Sequence, residues 1–462
     1  MSEVSDPFDF LFGRLNYERT GMPRSSSELR LARMRRLLRA LGDPQDAAPI
    51  VHVAGTKGKG STSALIAAAL TANGTKTGLF SSPHLNAVEE RIRIDGKQIA
   101  TVDLADLINE IRPILERIDD DEAARGHRPS TFFEVTTALG LLHFARAQAR
   151  AIVLEVGLGG RLDSTNAVRP AVSTLTNISF DHTKQLGSTL AAIAGEKAGI
   201  VKRNRPVVSG VRGDEPKRVI EAAALRRKAP LRAIDIDYFY EYIPPIQPLS
   251  RPAPGVVRVR TWRTAWDAIE LPLLGSHQAW NAATALATLD VLGELGIEVS
   301  ADSVRRGFAS LEWPARVEVM GESPWLVVDG AHNVASAQAL AETLGSNFPQ
   351  TRRTLVFGAS KDKDVVGQLR ELLPMFDRVV ATRYLENPRA VPPEEIAAIV
   401  REFSAVDCRI VPEPELALET ARAITEADSL ICVTGSIYLA AEVRALLKRP
   451  IGTNVVPPIL LK

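Results

Sequence analysis

Ile50-Val-His-Val-Ala-Gly-Thr-Lys-Gly-Lys-Gly-Ser-Thr-Ser-Ala64 decides how this chain of 462 residues is read. Ile50–Val53 is a short, apolar, β-branched run and predicts a buried strand. Gly55, Gly58 and Gly60 bracket Lys57 and Lys59, Ser61 and Thr62 follow, and an Ala/Leu-rich run to Leu70 predicts a helix ending near Asn73-Gly74. Strand, glycine loop, lysine, hydroxyl and helix start together make a phosphate cradle. Glycines let backbone N–H groups approach phosphate oxygens, and a helix N-terminus adds positive potential. Lys59 would neutralise the β- and γ-phosphates, and a hydroxyl of Ser61 or Thr62 would sit near a magnesium ion. The spacing departs from the standard P-loop, because Val53 stands six residues before Lys59 and Gly60 separates Lys59 from Ser61. Taken alone, these residues also fit an ordinary glycine-rich turn.

Working outward, the length calls for two or three domains. An apolar fraction of 45% and a charged fraction of 24% are those of a soluble globular protein. A formal net charge of +1 gives no electrostatic reason to expect nucleic acid or an anionic membrane as partner. Cys408 and Cys432 form neither a metal spacing nor a disulfide framework, which fits a reducing cytoplasm. The N-terminus does not read as a signal peptide, and no apolar run is long enough to span a membrane.

Residues 1–47 are expected to be helical, with Leu29, Leu31, Met34, Leu37, Leu38 and Leu41 as an apolar stripe beside a basic, solvated face. Strands are expected at 76–81, 151–158, 172–178 and 206–211, and a short hairpin strand at 90–94. Helices are expected at 104–118, 131–147, 189–201 and 279–295, with a charged loop at 119–130. The proline-dense stretch 243–255 predicts an edge loop. Residues 296–313 read as a linker that holds at most one short helix. The second half alternates strands at 325–329, 354–357, 378–381, 409–411 and 430–433 with helices, the pattern of a doubly wound α/β domain.

Sites in open α/β sheets form beyond the carboxyl ends of strands. Here those ends carry the glycine loop, Ser81-Ser82-Pro83-His84, Glu155 to Asn166, Ser179-Phe-Asp181-His182, Asp329-Gly-Ala-His332-Asn333 and Thr434-Gly-Ser436. Glu155 beside a phosphate loop suits a hard magnesium ion, although it would also serve as a cap or ion-pair partner. His182 has the alternatives of ligand and backbone-bonded structural histidine. Lys197, Arg316 and His332 would, one at a time, read as surface or turn residues.

Seven stretches change that. Gly55-Thr-Lys-Gly-Lys-Gly-Ser61, Ser81-Ser-Pro-His-Leu85, Leu154-Glu-Val-Gly-Leu-Gly-Gly-Arg161, Asp181-His182, Gly195-Glu-Lys-Ala-Gly-Ile200, His277-Gln-Ala-Trp-Asn281 and Asp329-Gly-Ala-His-Asn333 occur in this order. Together they resemble the folylpolyglutamate synthase/dihydrofolate synthase family, a branch of the Mur ligase superfamily, over residues 10 to 445. The resemblance implies an α/β chain: an N-terminal P-loop ATPase-like domain with a mostly parallel sheet (1–298) and a smaller C-terminal Rossmann-like domain (299–462), with the site between them. It implies a cytoplasmic, ATP-dependent ligase, monomeric by family default, that joins L-glutamate to dihydropteroate and to folates through an acyl phosphate, with two magnesium ions. Polyglutamylation alone is the narrower alternative. By position, Gly55, Thr56, Gly58, Lys59, Gly60, Ser61 and Thr62 meet the phosphates. Asn281, Arg316 and Asp329 match nucleotide contacts, and Ser436 and His332 match the glutamate side. Ser82, Glu155, His182 and a carbamylated Lys197 are implied as metal holders. Lys59, Lys197, Arg316 and His332 are implied in catalysis, His332 as a base for the glutamate amine. Lys57 departs from the family pattern, where asparagine is usual. A cell-wall ligase of the same superfamily would need a further domain before residue 55. A non-catalytic nucleotide-binding module would need the loop but not Glu155, His182, Lys197 and Asp329 together.

Overall fold

The strand before the glycine loop forms as β1 (Ile50–Ala54), buried along its whole length. It lies inside an eight-stranded sheet of order β4-β3-β2-β5-β1-β6-β7-β8. The other members are β2 (Thr77–Phe80), β3 (Ile92–Ile94), β4 (Lys97–Gln98), β5 (Ala151–Glu155), β6 (Val172–Leu175), β7 (Val207–Ser209) and β8 (Leu231–Ala233). All pairings are parallel except the β2/β3 and β3/β4 edge. The chain passes to β2 and β5 on one side of β1 and to β6 and β7 on the other. That reversal opens a crevice at the carboxyl end of β1, where the glycine loop sits. The computed structural model describes residues 6–20, 31–247 and 249–448.

Alternation along β1 sends Val51 and Val53 into one core and Ile50 into another. The first core is closed by the helices Lys59–Ala72 and Ser276–Glu294, the second by Thr101–Ala123 and Phe132–Arg146. Two-sided burial explains why β1, β5 and β6 read as continuous apolar runs. A further antiparallel sheet of β9 (Phe239–Ile243), β10 (Val256–Arg260) and β11 (Ala265–Glu270) places Val257, Val259, Trp266 and Ile269 in the first core. Nothing in the sequence reading anticipated this sheet. The proline-dense stretch forms the connection from β9 to β10.

The second half forms a six-stranded sheet of order β12-β13-β17-β14-β15-β16. Its strands are β12 (Glu318–Glu322), β13 (Trp325–Val328), β14 (Arg353–Phe357), β15 (Arg378–Ala381), β16 (Asp407–Ile410) and β17 (Leu430–Thr434). Only β12, which was not expected, runs antiparallel.

Four expectations change. The first 47 residues are not one helical run. Helices cover Pro7–Phe12, Tyr17–Thr20 and Leu31–Ala40, and Leu29 lies outside the described residues. The basic face of Leu31–Ala40 is not all solvated, since Arg33 is buried and bonds Glu134 at 2.6 Å. The acidic run after Ile118 is not loop, because the helix continues to Ala123. The helix Ala301–Ala309 sinks Val304 and Phe308 into the first core, and Arg306 donates to the Ala72 carbonyl at 3.1 Å. By packing it goes with the N-terminal half, although a division at 298/299 assigned it to the C-terminal one. No helix among the described residues is long and apolar enough to cross a membrane.

Candidate active site

The loop after β1 is shaped by steric limits. Gly58 sits at φ +77°, and a Cβ there would lie 2.1 Å from Asn281 Oδ1. A Cβ on Gly55 would lie 1.8 Å from Thr176 Oγ1. Only glycine meets both constraints at Gly58. Asn281 is held over the loop by its Nδ2 donating to Gln278 Oε1 at 2.9 Å. The Thr56 hydroxyl is engaged with the Ser179 carbonyl and accepts from the Ser179 N–H, which ties the loop to the end of β6. Ser61 and Thr62 are buried in the first turn of the helix Lys59–Ala72, and Thr62 Oγ1 has no hydrogen-bond partner among the described residues. Lys59 Nζ and Lys197 Nζ both donate to the Gly55 carbonyl, at 3.2 and 2.9 Å.

Beside the loop, Glu155 ends β5 and accepts the Ser82 N–H at 3.2 Å. It is buried and makes no ion pair among the described residues. Burial pushes its carboxyl up to about 7, against the pull of Lys59. Burial and neighbouring Lys59 bring the Lys197 ammonium down to about 7. Burial holds His182 at about 4, against Asp181. At neutral pH the site therefore offers a neutral imidazole, an amine that is substantially unprotonated and a carboxylate that a cation would keep ionised.

The C-terminal half meets the loop at Asp181. Lys57 Nζ bonds its Oδ2 at 2.9 Å, Lys363 Nζ its Oδ1 at 2.8 Å, and Asn333 Nδ2 its Oδ2 at 2.9 Å. His332 Nε2 stands 3.9 Å from the same carboxylate and 3.3 Å from Lys57 Nζ. Burial alone would raise the Asp181 carboxyl. Lys57, His182, Lys363 and His332 outweigh it and hold it far below the usual carboxylate range. His332 Nδ1 lies 2.9 Å from the Gly330 carbonyl, so it carries the donated proton and Nε2 accepts from Lys57. Burial and then Lys57 and Lys363 keep this imidazole neutral, well below its ordinary value. The expected base thus has its own lone pair already engaged.

Arg316 is held between Ala315 at φ +54° and Val317 at φ +49°. A β-branched residue in the left-handed region is strained, at about 1–3 kcal/mol. Asp329 holds that strain. Its two oxygens accept Val317 N at 2.9 Å and Ala331 N at 2.7 Å. Arg316 makes no ion pair among the described residues, which leaves its charge available to a ligand. Ser436 is buried, and its hydroxyl caps the helix Ile437–Leu447 by accepting Tyr438 N. Asp329 and Ser436, expected at the ligand, are here occupied with backbone.

The structure brings Gly55, Thr56, Gly58, Lys59, Gly60, Ser61, Thr62, Ser82, Glu155, His182, Lys197 and Asn281 around one loop, with His332 facing it through Lys57. Among the described residues no three His, Cys, Asp or Glu side chains stand together as a ready metal cage. Lys363 was missed. It follows β14, and the same strand-end rule that found the other residues would have found it in Lys361-Asp-Lys363-Asp.

The two halves match two catalogued domains: the Mur ligase middle domain over residues 53–289 and the Mur ligase, glutamate ligase domain over residues 315–437. A Bacillus subtilis relative named dihydrofolate synthase/folylpolyglutamate synthase is 32% identical over 421 residues, 90% of this chain and 95% of its own. A Haloferax volcanii relative, named a probable bifunctional folylpolyglutamate synthase/dihydropteroate synthase, is 36% identical over 90% of this chain. The chain spans about half (48%) of that archaeal protein. The solved Mycobacterium tuberculosis folylpolyglutamate synthase complexed with ADP and AMPPCP superposes with a TM-score of 0.85 at 35% identity, covering 91% of this chain and 96% of that one. The chain belongs to the Mur ligases, in their folylpolyglutamate synthase/dihydrofolate synthase family.

Proposed function

We propose that this chain joins the amino group of L-glutamate to a carboxylate of dihydropteroate and of tetrahydrofolate, at the expense of ATP. The observation that carries the reading is the convergence on Asp181. A phosphate-loop lysine and two C-terminal side chains share one carboxylate, so the phosphate cradle and the C-terminal sheet edge face one cleft.

A carboxylate does not acylate an amine at neutral pH. An oxygen of the acceptor carboxylate attacks the γ-phosphorus, ADP leaves, and an acyl phosphate forms. The glutamate nitrogen then attacks the acyl carbon, loses a proton, and inorganic phosphate departs. Lys59 and Arg316 offset the charge on the transferring phosphoryl group, and the Gly58 turn aims loop N–H groups at the phosphates. The donor set suits magnesium. Among the described residues Glu155 is a buried carboxylate without a direct ion pair, His182 is neutral, and Thr62 Oγ1 is unpartnered. Ser82, Glu155, His182 and a carbamylated Lys197 would hold two ions, with phosphate oxygens and water completing each shell. Bound there, magnesium would supply charge neutralisation. The lowered Lys197 leaves the free amine that carbamylation requires. His332 takes the amine proton only once Lys57 has turned from its Nε2. Replacing His332 by Ala should then slow amide formation and flatten its pH dependence, and an unchanged profile removes the residue from that role. We take the enzyme to act as a monomer in the cytoplasm.

The test is ATP-dependent incorporation of labelled L-glutamate, with dihydropteroate, tetrahydrofolate or no acceptor. Incorporation with both establishes the bifunctional ligase. Incorporation with tetrahydrofolate alone narrows it to polyglutamylation. A folded chain that binds ATP and incorporates none is a nucleotide-binding module.

A further inference from the structure

Beyond β15 the chain turns outward and frames a cavity of about 330 Å³ on the carboxyl edge of the C-terminal sheet. Lys361, Arg383, Tyr384 and Asn387 line it, with Pro388 and Pro392. Among the described residues no acidic side chain is in this lining. Lys361 and Arg383 are exposed and form no ion pair among the described residues. The acid between Lys361 and Lys363, Asp362, is drawn to Arg389 at 3.4 Å. Glu442 is engaged by the N–H groups of Leu385 and Glu386.

Asn387 is only 2% exposed, and its Nδ2 has no hydrogen-bond partner among the described residues. Its Oδ1 accepts Arg389 N at 3.1 Å, which fixes the amide so that the orphan is the donor end. A buried N–H donor without an acceptor is costly, and an arriving oxygen would satisfy it. Two cations and an amide donor, with no lining acid, select a carboxylate. The wall is firm: Tyr384 and Ser360 share a hydroxyl bond at 2.6 Å, and the Tyr384 ring lies 5.2 Å from that of Tyr438. The cavity adjoins the cleft, since Lys361 is two residues from Lys363, whose ammonium sits on Asp181.

We propose that this cavity is a carboxylate subsite for the γ-linked glutamate tail of an acceptor that has already been extended. The inference rests on the ligase reading above. Dihydropteroate carries no such tail and cannot use it, whereas each round of extension adds a carboxylate that can.

The test compares wild type with a Lys361→Ser/Arg383→Ser double variant. Both side chains are exposed, so the fold tolerates the change. KM and kcat are measured with dihydropteroate, tetrahydrofolate monoglutamate and tetrahydrofolate triglutamate. The expected result is a KM for the triglutamate raised about tenfold, the sum of two exposed charge pairs in the upper half of their range, with kcat and both dihydropteroate constants unchanged. Lys361→Arg should restore most of the loss, and added salt should raise the wild-type triglutamate KM more than the dihydropteroate KM. A wild type active on both acceptor classes whose double variant treats all three alike overturns the subsite and leaves the ligase. A wild type active on dihydropteroate only also overturns the subsite. A wild type active on none overturns the ligase reading and the subsite with it.

Discussion

The loop after β1 and the turn after β13 face the same cleft and use their polar groups in opposite ways. On the loop side, Glu155 and Lys197 are buried with little to neutralise them, and both are shifted to about 7. These groups carry a stability cost that a bound cation, phosphate or carbamate would relieve. On the turn side, Asp329 and Ser436 spend their oxygens on backbone N–H groups and shape the frame that aims Arg316. One half holds chemistry in readiness. The other holds geometry.

That contrast can be broken in order of expected effect. Lys59→Ala should lower ATP-dependent turnover about 10²–10³-fold without unfolding the chain, as measured by kcat beside a thermal melt, because it removes charge from the transferring group only. Retained turnover would contradict the loop side. Glu155→Gln should cost about 10²-fold in activity or metal affinity, yet leave the metal-free protein more stable at pH 8. The sign follows from the raised carboxyl. Its stabilising contribution is complete below the ordinary value of 4.5 and is lost as pH rises through about 7, and glutamine escapes that loss. Melting temperatures of the two proteins should converge near pH 4.5 and separate by pH 8. Asp329→Ala should do the reverse. It strands two buried N–H groups, a loss that relaxation at Val317 offsets only in part, and should cost about 2–3 kcal/mol in denaturant unfolding. If Asp329→Ala is inactive but fully stable, Asp329 belongs with the chemistry. Ser436→Ala should cost only about 1 kcal/mol, the worth of a helix cap. A loss of glutamate KM beyond that would give Ser436 a ligand role.

Much of the site was legible because it is local. Gly58, Lys59, Ser61, Glu155 and His332 all sit within a few residues of a strand end, and strand ends can be found from apolar runs. Arg33 was misjudged because its partner, Glu134, is 101 residues away, and no periodicity along one helix reveals a buried ion pair. The sheet of β9–β11 was missed because its strands are half exposed and a proline-dense stretch separates β9 from β10. The short helix allowed within 296–313 forms as Ala301–Ala309, but its place was not legible because it is set by the packing against Lys59–Ala72.

By itself the sequence determined the parallel α/β architecture, the phosphate cradle and the order of chemical groups along the sheet edge. Each of these depends on backbone preference and apolar period over a handful of residues. Only the tertiary structure decided that Lys57 meets Asp181 and His332, that Lys363 reaches the same carboxylate, and that Asp329 works on the backbone. The lysine contacts join residues 124 to 275 positions apart. They depend on how two domains dock and on which buried charge has a partner, and neither is encoded within a single element.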